Sequence, residues 1–357
     1  MKTIILTLAL FSLSIFSFAQ RPPIPNLPAA SLEDAGFNLD SINTLIPMMD
    51  NFQQLDFRGL VVIKDNQSII EWYYNSAERT MINDIRSAGK SITSLLLGVA
   101  IKDGLVKSLD QDVYSFFSKE KYPSVNEDYK KITIRHLLDM SSGLDADSDD
   151  GKTPGHARHW VYNDEWVDYI LNIPLVKKPG GQWVYADINV ALIGAIIEET
   201  SGMSLNDFAK EKVFTPLGIK KYYWYTNDSN QTVAAGTLYL STLDFAKLGV
   251  LVTNKGKWGD QQIVPSAYIE ELIKRKVFDL SKYWSLWDSY GMLWYKNQET
   301  FNNRKIEYLW ASGNGGNHLV VVPEENMVIA LTSTAYGTGY GHRRARAILM
   351  KLLNALE

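Results

Sequence analysis

Asp84-Ile85-Arg86-Ser87-Ala88-Gly89-Lys90-Ser91-Ile92-Thr93-Ser94-Leu95-Leu96-Leu97 places a hydroxyl and an amine three residues apart at the start of an apolar run. The run predicts a helix opened by small residues. Residues three apart share a helix face, so Lys90 reaches the oxygen of Ser87. An isolated Ser is a poor nucleophile near neutral pH, and a neighbouring neutral base activates it. The helix start adds unpaired backbone N–H groups and a partial positive charge, which favour a developing anion and push the Lys toward its neutral, basic form. The stretch therefore predicts a hydrolase nucleophile that works without His. Ser118-Lys119-Glu120-Lys121 repeats the spacing, but within a charged stretch that reads as solvated surface. Spacing alone does not specify the chemistry.

On the N-terminal side, Leu60-Val61-Val62-Ile63-Lys64, a turn at Asp65-Asn66 and Ser68-Ile69-Ile70-Glu71-Trp72-Tyr73 predict a β-hairpin. On the C-terminal side, residues 108 to 235 read as helical or irregular, as in Thr133-Ile134-Arg135-His136-Leu137-Leu138 and Val190-Ala191-Leu192-Ile193-Gly194-Ala195-Ile196-Ile197. Strand signals return at Ile306-Glu307-Tyr308-Leu309-Trp310, His318-Leu319-Val320-Val321-Val322-Pro323 and Met327-Val328-Ile329-Ala330-Leu331, before a last helix over about Arg343 to Leu356. Two early and three late strands predict a mixed α+β fold, a five-stranded antiparallel sheet closed by both ends of the chain and flanked by helices. The sheet part covers about residues 30–107 and 236–357, and an all-helical subdomain, about 108–235, is inserted over one edge. A cleft between two such parts is a common place for a site.

The chain has 357 residues, 46% hydrophobic and 21% charged, which is globular composition with length for a large core. A net charge of −4 predicts no nucleic-acid partner, because phosphate binding needs a basic surface. Ten Trp and 19 Tyr fit an aromatic-lined cleft as well as core packing. Met1-Lys2-Thr3, an apolar run from Ile4 to Phe18 and the small-x-small end Ser17-Phe18-Ala19 predict a secretory signal peptide over residues 1–19, with export to the periplasm or medium. The apolar run is short for a membrane span, so no stable membrane anchor is expected. The chain has no Cys, hence neither disulfides nor a thiol nucleophile. Arg21-Pro22-Pro23-Ile24-Pro25 reads as an arm rather than a domain.

Two further segments carry candidate chemistry. Tyr185-Ala186-Asp187-Ile188-Asn189 precedes a helix, and a Tyr hydroxyl beside a Lys relays protons as base and then acid. Ala311-Ser312-Gly313-Asn314-Gly315-Gly316-Asn317 lies between two strands, where glycines permit close backbone approach or form a hairpin turn.

In this order and spacing, the three segments resemble the serine β-lactamase and penicillin-binding superfamily, in particular its class C β-lactamase-like branch with esterases and 6-aminohexanoate-dimer hydrolases. The resemblance runs from about residue 55 to 350 and includes Ile132 to Leu144, Ala234-Ala235-Gly236-Thr237-Leu238-Tyr239, Leu243 to Gly249 and Tyr290-Gly291-Met292-Leu293-Trp294. It implies Ser87 as nucleophile, Lys90 as its activating partner and Tyr185 as the Tyr of a Tyr-x-Asn element. Here that element ends in Asp187. An ionised carboxylate cannot donate as the Asn amide does, so Asp187 either accepts from a substrate N–H or holds Lys90 charged. The third family element, Lys-Thr-Gly, aligns with Ala311-Ser312-Gly313, which lacks the Lys. Asn314 would then give a backbone N–H to an oxyanion hole shared with Ser87. The register Asn314-Gly315-Gly316 lacks the Lys too. In β-lactam-recognising members that Lys helps hold the substrate carboxylate.

Together these features predict an exported serine hydrolase that cleaves a small ester, linear amide or peptide-like substrate through an acyl-enzyme, with no cofactor. A ligand-binding or sensor protein on the same fold is the main alternative, and a weak β-lactamase or D-Ala-D-Ala peptidase the next. A His-based site is poorly supported: His136 sits in an apolar helix, and His156-Ala157-Arg158-His159 has no further ligands at metal spacing. No Gly-x-Ser-x-Gly elbow occurs. The pattern leaves the substrate and the oligomeric state open.

Overall fold

Runs of Val, Ile and Leu at consecutive positions, rather than alternating ones, give strands buried on both faces. Those strands build the centre of a computed structural model describing residues 27–45, 54–282, 286–301 and 303–356. The predicted signal peptide and the arm Arg21–Pro25 lie outside the described residues. The hairpin is formed by β1 (Phe57–Lys64) and β2 (Gln67–Tyr73), joined through Asp65 and Asn66 at φ of 52° and 59°. Positive φ at both turn residues matches the right-handed twist of the strands.

Two short strands come next in the larger sheet, β8 (Phe278–Asp279) and β9 (Ser289–Gly291), after a small sheet of β3 (Ile82–Asp84), β4 (Tyr223–Trp224) and β5 (Leu238–Ser241) and a ribbon of β6 (Lys257–Trp258) and β7 (Gln261–Gln262). Four longer ones follow, β10 (Trp294–Phe301), β11 (Arg304–Gly313), β12 (Asn317–Val322) and β13 (Met327–Ser333). The sheet order is β2-β1-β13-β12-β11-β10-β9-β8, all antiparallel. It therefore has eight strands where the sequence predicts five. The five expected ones are present in sequence-distant pairs such as Leu60 opposite Leu331. The additional three were illegible because Lys296 to Thr300 is polar and the outer strands span only two or three residues.

Nine helices are used below: α1 (Leu39–Asn43), α2 (Gly89–Lys102), α3 (Ile134–Leu138), α4 (Trp166–Ile170), α5 (Asp187–Ser201), α6 (Leu205–Ala209), α7 (Thr242–Thr253), α8 (Ser266–Lys274) and α9 (Gly339–Asn354). Helix α2 is buried from Gly89 to Ala100 and packs on α5, which explains its lack of a polar face. Gly249 of α7 faces Leu319 and Val328, whereas His342 of α9 meets His318. Leu319 and His318 are successive residues of β12, so α7 and α9 cover opposite sheet faces.

Helix α5 ends at Gly202, whose φ of 68° stops it in the left-handed region. One turn earlier, Glu198 Oε1 accepts the backbone N–H groups of Leu205 and Thr232, tying α5 to α6 and to the loop before β5. Burial raises the Glu198 carboxyl to about 7, above its ordinary 4.5. The folded protein thus binds a proton that the unfolded chain has released between pH about 4.5 and 7, and stability from this group falls across that window. Glu198→Gln keeps the accepting oxygen and removes the buried charge. Its melting temperature relative to wild type is expected to be higher at pH 8 than at pH 5. An equal difference at both pH values would refute the assignment.

Candidate active site

Ser87 sits where β3 gives way to α2, in a turn held by its neighbours. Arg86 has a φ of 54°, a conformation that costs a non-Gly residue on the order of 1 kcal/mol or more. Asp84 compensates: its Oδ1 accepts the Arg86 backbone N–H at 2.8 Å, and its Oδ2 pairs with Arg86 Nε at 3.0 Å. The guanidinium lies 4.2 Å over the Tyr336 ring, and the Tyr336 hydroxyl donates to the Asp84 carbonyl. The sharp turn leaves Ser87 half-exposed at the helix mouth, while Ala88 and Gly89 are buried.

Lys90, in the first turn of α2, is 3% exposed. Its Nζ donates to Ser87 Oγ at 3.0 Å and to the Ala235 carbonyl at 2.6 Å. It also forms an ion pair with Asp187, Nζ to Oδ1 at 2.8 Å. Burial alone would lower the Lys90 pKa, but the Asp187 carboxylate, and after it Tyr185, outweigh burial and hold the ammonium above its ordinary value. The expected neutral Lys90 is therefore corrected. The helix start does disfavour its charge, but a carboxylate at contact distance in a buried site is the stronger effect. Of the two readings open for Asp187, the contact selects the one that keeps Lys90 charged.

Tyr185 and Asp187 flank Ala186, the residue that opens α5. A carboxylate in the first turn of a helix is favoured by its unpaired N–H groups. The segment is anchored by Ser148, whose Oγ accepts the Asp187 N–H at 3.0 Å and whose N–H donates to the Tyr185 carbonyl at 2.8 Å. Lys90 Nζ lies 5.1 Å from the centre of the Tyr185 ring.

The third segment arrives from the far end of the chain. Ala311, Ser312 and Gly313 are the last residues of β11, and a Cβ on Gly313 would lie 2.0 Å from the Ile85 carbonyl oxygen and 3.1 Å from the Ala88 nitrogen. Only glycine lets this strand reach the Ser87 turn. Gly315 and Gly316, at φ of 89° and 85°, form the β11–β12 turn, so the register Ala311-Ser312-Gly313 is the one beside Ser87. Asn314 is exposed at the strand end, and its Oδ1 accepts from Gly337 N–H. Gly313→Ala is expected to push β11 off the turn and lower activity about 100-fold or more, with a stability loss of about 1–3 kcal/mol. Full activity in this variant, measured with any turned-over substrate, would show that the close approach is dispensable.

Several participants escaped the sequence reading. Asn83 Nδ2 donates to Asn317 Oδ1, which also accepts the Ser333 N–H, so the turns bearing Ser87 and Asn314 are cross-linked. Tyr336 and the Ala235 carbonyl carry no local pattern, since their roles arise from partners more than a hundred residues away. His136, read as structural, has its Nδ1 accepting the Thr133 N–H in a capping box, while His156 Nδ1 accepts the Arg158 N–H and His159 Nε2 meets the Gly151 carbonyl oxygen. Among the described residues, no group of three or more His, Asp or Glu is placed to hold a metal ion. Lys121, of the second Ser-x-x-Lys match, pairs with Glu199 at the surface.

The family model described as Beta-lactamase matches residues 48–352. An Escherichia coli protein provisionally named a D-alanyl-D-alanine carboxypeptidase is 27% identical over 245 residues, covering 61% of this chain and 55% of that protein. The chain thus spans about half the length of the curated relatives it matches. Among solved structures, a Bacillus anthracis protein provisionally named a 6-aminohexanoate-dimer hydrolase superposes with a TM-score of 0.72 at 18% identity, over 92% of this chain and 87% of its own. A hydrolase with promiscuous acyltransferase activity gives 0.69 at 15% identity, over 87% and 98%. At such identities the structural likeness speaks for the fold.

Proposed function

The chain belongs to the β-lactamase family, and from that premise we propose that it is a serine hydrolase cleaving neutral esters or linear amides through an acyl-enzyme on Ser87. The observation that carries the reading is the 3.0 Å contact between Lys90 Nζ and Ser87 Oγ, with Tyr185 beside the same ammonium. An ammonium that donates to Oγ stabilises the serine oxyanion but cannot accept its proton. With the charge on Lys90 retained by Asp187, this reading gives the part of proton acceptor to Tyr185. Ser87 Oγ attacks the carbonyl carbon as its proton passes to Tyr185. The resulting phenol then protonates the leaving oxygen or nitrogen, and water hydrolyses the acyl-enzyme.

The oxyanion forms against the backbone N–H groups of Ser87 and Asn314, neither of which donates elsewhere among the described residues. Removing one such donor typically costs about 10²–10³ in rate. The substrate class follows from charge. Ala311 supplies no ammonium where a β-lactam carboxylate would need one, and Arg86 is already engaged by Asp84 and Tyr336.

The test is intact-mass spectrometry after fluorophosphonate treatment, followed by turnover assays with esters, linear amides and β-lactams. One adduct on Ser87 and turnover of esters or linear amides is the expected result. Absence of an adduct on folded protein overturns the hydrolase reading in favour of ligand binding, and β-lactam turnover above the other classes overturns the substrate class.

A further inference from the structure

The two N–H groups of the oxyanion hole come from distant segments, Ser87 just after β3 and Asn314 just after β11. Such donors act together only when both lie about 2.7–3.1 Å from one oxygen, and a misplacement of about 1 Å can cost about 100-fold in rate. The turn that carries Asn314 is loosely built. Gly315 and Gly316 follow it at φ of 89° and 85°, and glycine moves through such conformations at little cost. The turn therefore needs a tether to the Ser87 side.

Asn317, the first residue of β12, is fully buried, and all four hydrogen-bonding positions of its side chain are filled. Its Oδ1 accepts Asn83 Nδ2 at 2.9 Å and the Ser333 N–H at 3.0 Å. Its Nδ2 donates to the Asn314 carbonyl at 2.8 Å and to the Ser333 carbonyl at 3.0 Å. The Gly313 carbonyl accepts the Gly316 N–H at 3.3 Å, so the peptides on both sides of Asn314 are tied. Asn83 is buried too, and its Nδ2 also lies 3.1 Å from the Asp84 carbonyl oxygen, in the segment that delivers Ser87. One amide thus holds the Asn314 turn, the end of β13 and the strand leading to the nucleophile. Apolar side chains of similar size would avoid the desolvation of two amides, so stability alone does not call for this pair.

We propose that Asn317 is a positioning residue for the hydrolytic reaction, which with Asn83 sets the spacing between the Ser87 and Asn314 N–H groups. The proposal rests on the hydrolase reading above. Asn317 forms no bond in the reaction and acts through the two turns it joins. When Ser87 Oγ adds to the carbonyl carbon, the carbonyl π electrons move onto the oxygen. Two N–H groups held at the right spacing meet that charge without first rearranging. The carbonyl of the unreacted substrate carries little charge and gains less from the same spacing. Loosening the amide link therefore slows the covalent step and spares binding.

Labelling by a fluorophosphonate tests this without knowledge of the substrate. Ser87 Oγ bonds to phosphorus, fluoride leaves, and the phosphoryl oxygen carries the developing charge into the hole. The rate constant of the covalent step, kinact, and the binding constant, KI, are measured separately, with a melting curve for each variant. Asn317→Asp keeps the size and the acceptor but loses both Nδ2 donations, and kinact is expected to fall about 100-fold with KI within about threefold of wild type. Asn83→Leu cuts the link to the nucleophile strand and leaves Asn317 bound to Asn314 and Ser333, so a fall of about tenfold in kinact is expected. This second variant decides the matter should the buried carboxylate of the first prevent folding. Unchanged kinact in a folded variant, or a change confined to KI, would overturn the proposal. Unfolding of both variants would overturn it as well, by assigning the pair to stability. A wild-type protein that is not labelled at all is a separate result, which removes the hydrolase reading beneath.

Discussion

Ser87→Ala abolishes fluorophosphonate labelling and lowers ester or amide turnover by on the order of 10⁴–10⁶-fold, the range in which removal of an activated nucleophile falls. The substitution deletes one half-exposed oxygen. Lys90 loses an acceptor there but keeps the Ala235 carbonyl and the Asp187 carboxylate, so its charge stays compensated. Stability is therefore expected to change by less than about 1 kcal/mol. The combination matters: activity gone with the melting curve in place assigns chemistry to the hydroxyl, whereas loss of both reports only a damaged turn. Undiminished labelling in the variant would locate the reactive group elsewhere and sink the assignment.

Asp187→Ala has the largest expected effect on stability. It strips the carboxylate from an ammonium that is 3% exposed, and an uncompensated buried charge typically costs about 3–5 kcal/mol. Asp187 is itself 22% exposed at its side chain, so water partly replaces it, and about 2–4 kcal/mol is the expected loss in urea denaturation. The sign of the pH dependence follows from Lys90. Its folded pKa is raised above the unfolded value of 10.5, so the stabilisation is fully present below pH 10.5 and fades only as the pH rises through the folded value. The wild-type contribution should therefore be flat from pH 6 to 10, and the gap to Asp187→Ala should narrow across that range as the variant's Lys90 gives up its proton. In the variant the amine loses its main counter-charge and burial dominates, which brings a Lys90 ionisation down into the activity profile. A variant as stable as wild type, with an unaltered profile, would mean that Asp187 does not hold the charge on Lys90.

Much of this site was legible before any coordinates. The Ser87–Lys90 contact spans i to i+3 from a 3₁₀ turn into the α2 helix that follows it, a spacing the sequence reading recovered from small residues opening an apolar run. The hairpin of β1 and β2 was legible from Asp65-Asn66 between two apolar segments, and Tyr185 and Asp187 from their place before Ile188. Strands β8, β9 and β10 were not, because polar and very short strands owe their existence to a neighbour already in the sheet. The charge on Lys90 was misjudged for a related reason: the local helix start was visible, and the carboxylate pressed against the amine from α5 was not.

The sequence by itself determined the Ser87–Lys90 pairing, the hairpin and the late strands, since each rests on residues within a turn or two of one another, and the family likeness, which rests on the order of such segments along the chain. Only the tertiary structure decided that Asp187 meets Lys90, that Gly313 closes on the Ser87 turn, and that Asp84 and Tyr336 hold Arg86 in its bent conformation. Those properties depend on contacts between segments far apart in the chain, where electrostatic and packing energies fall off within a few ångströms. No local pattern records such a distance until the sheet has brought the segments together.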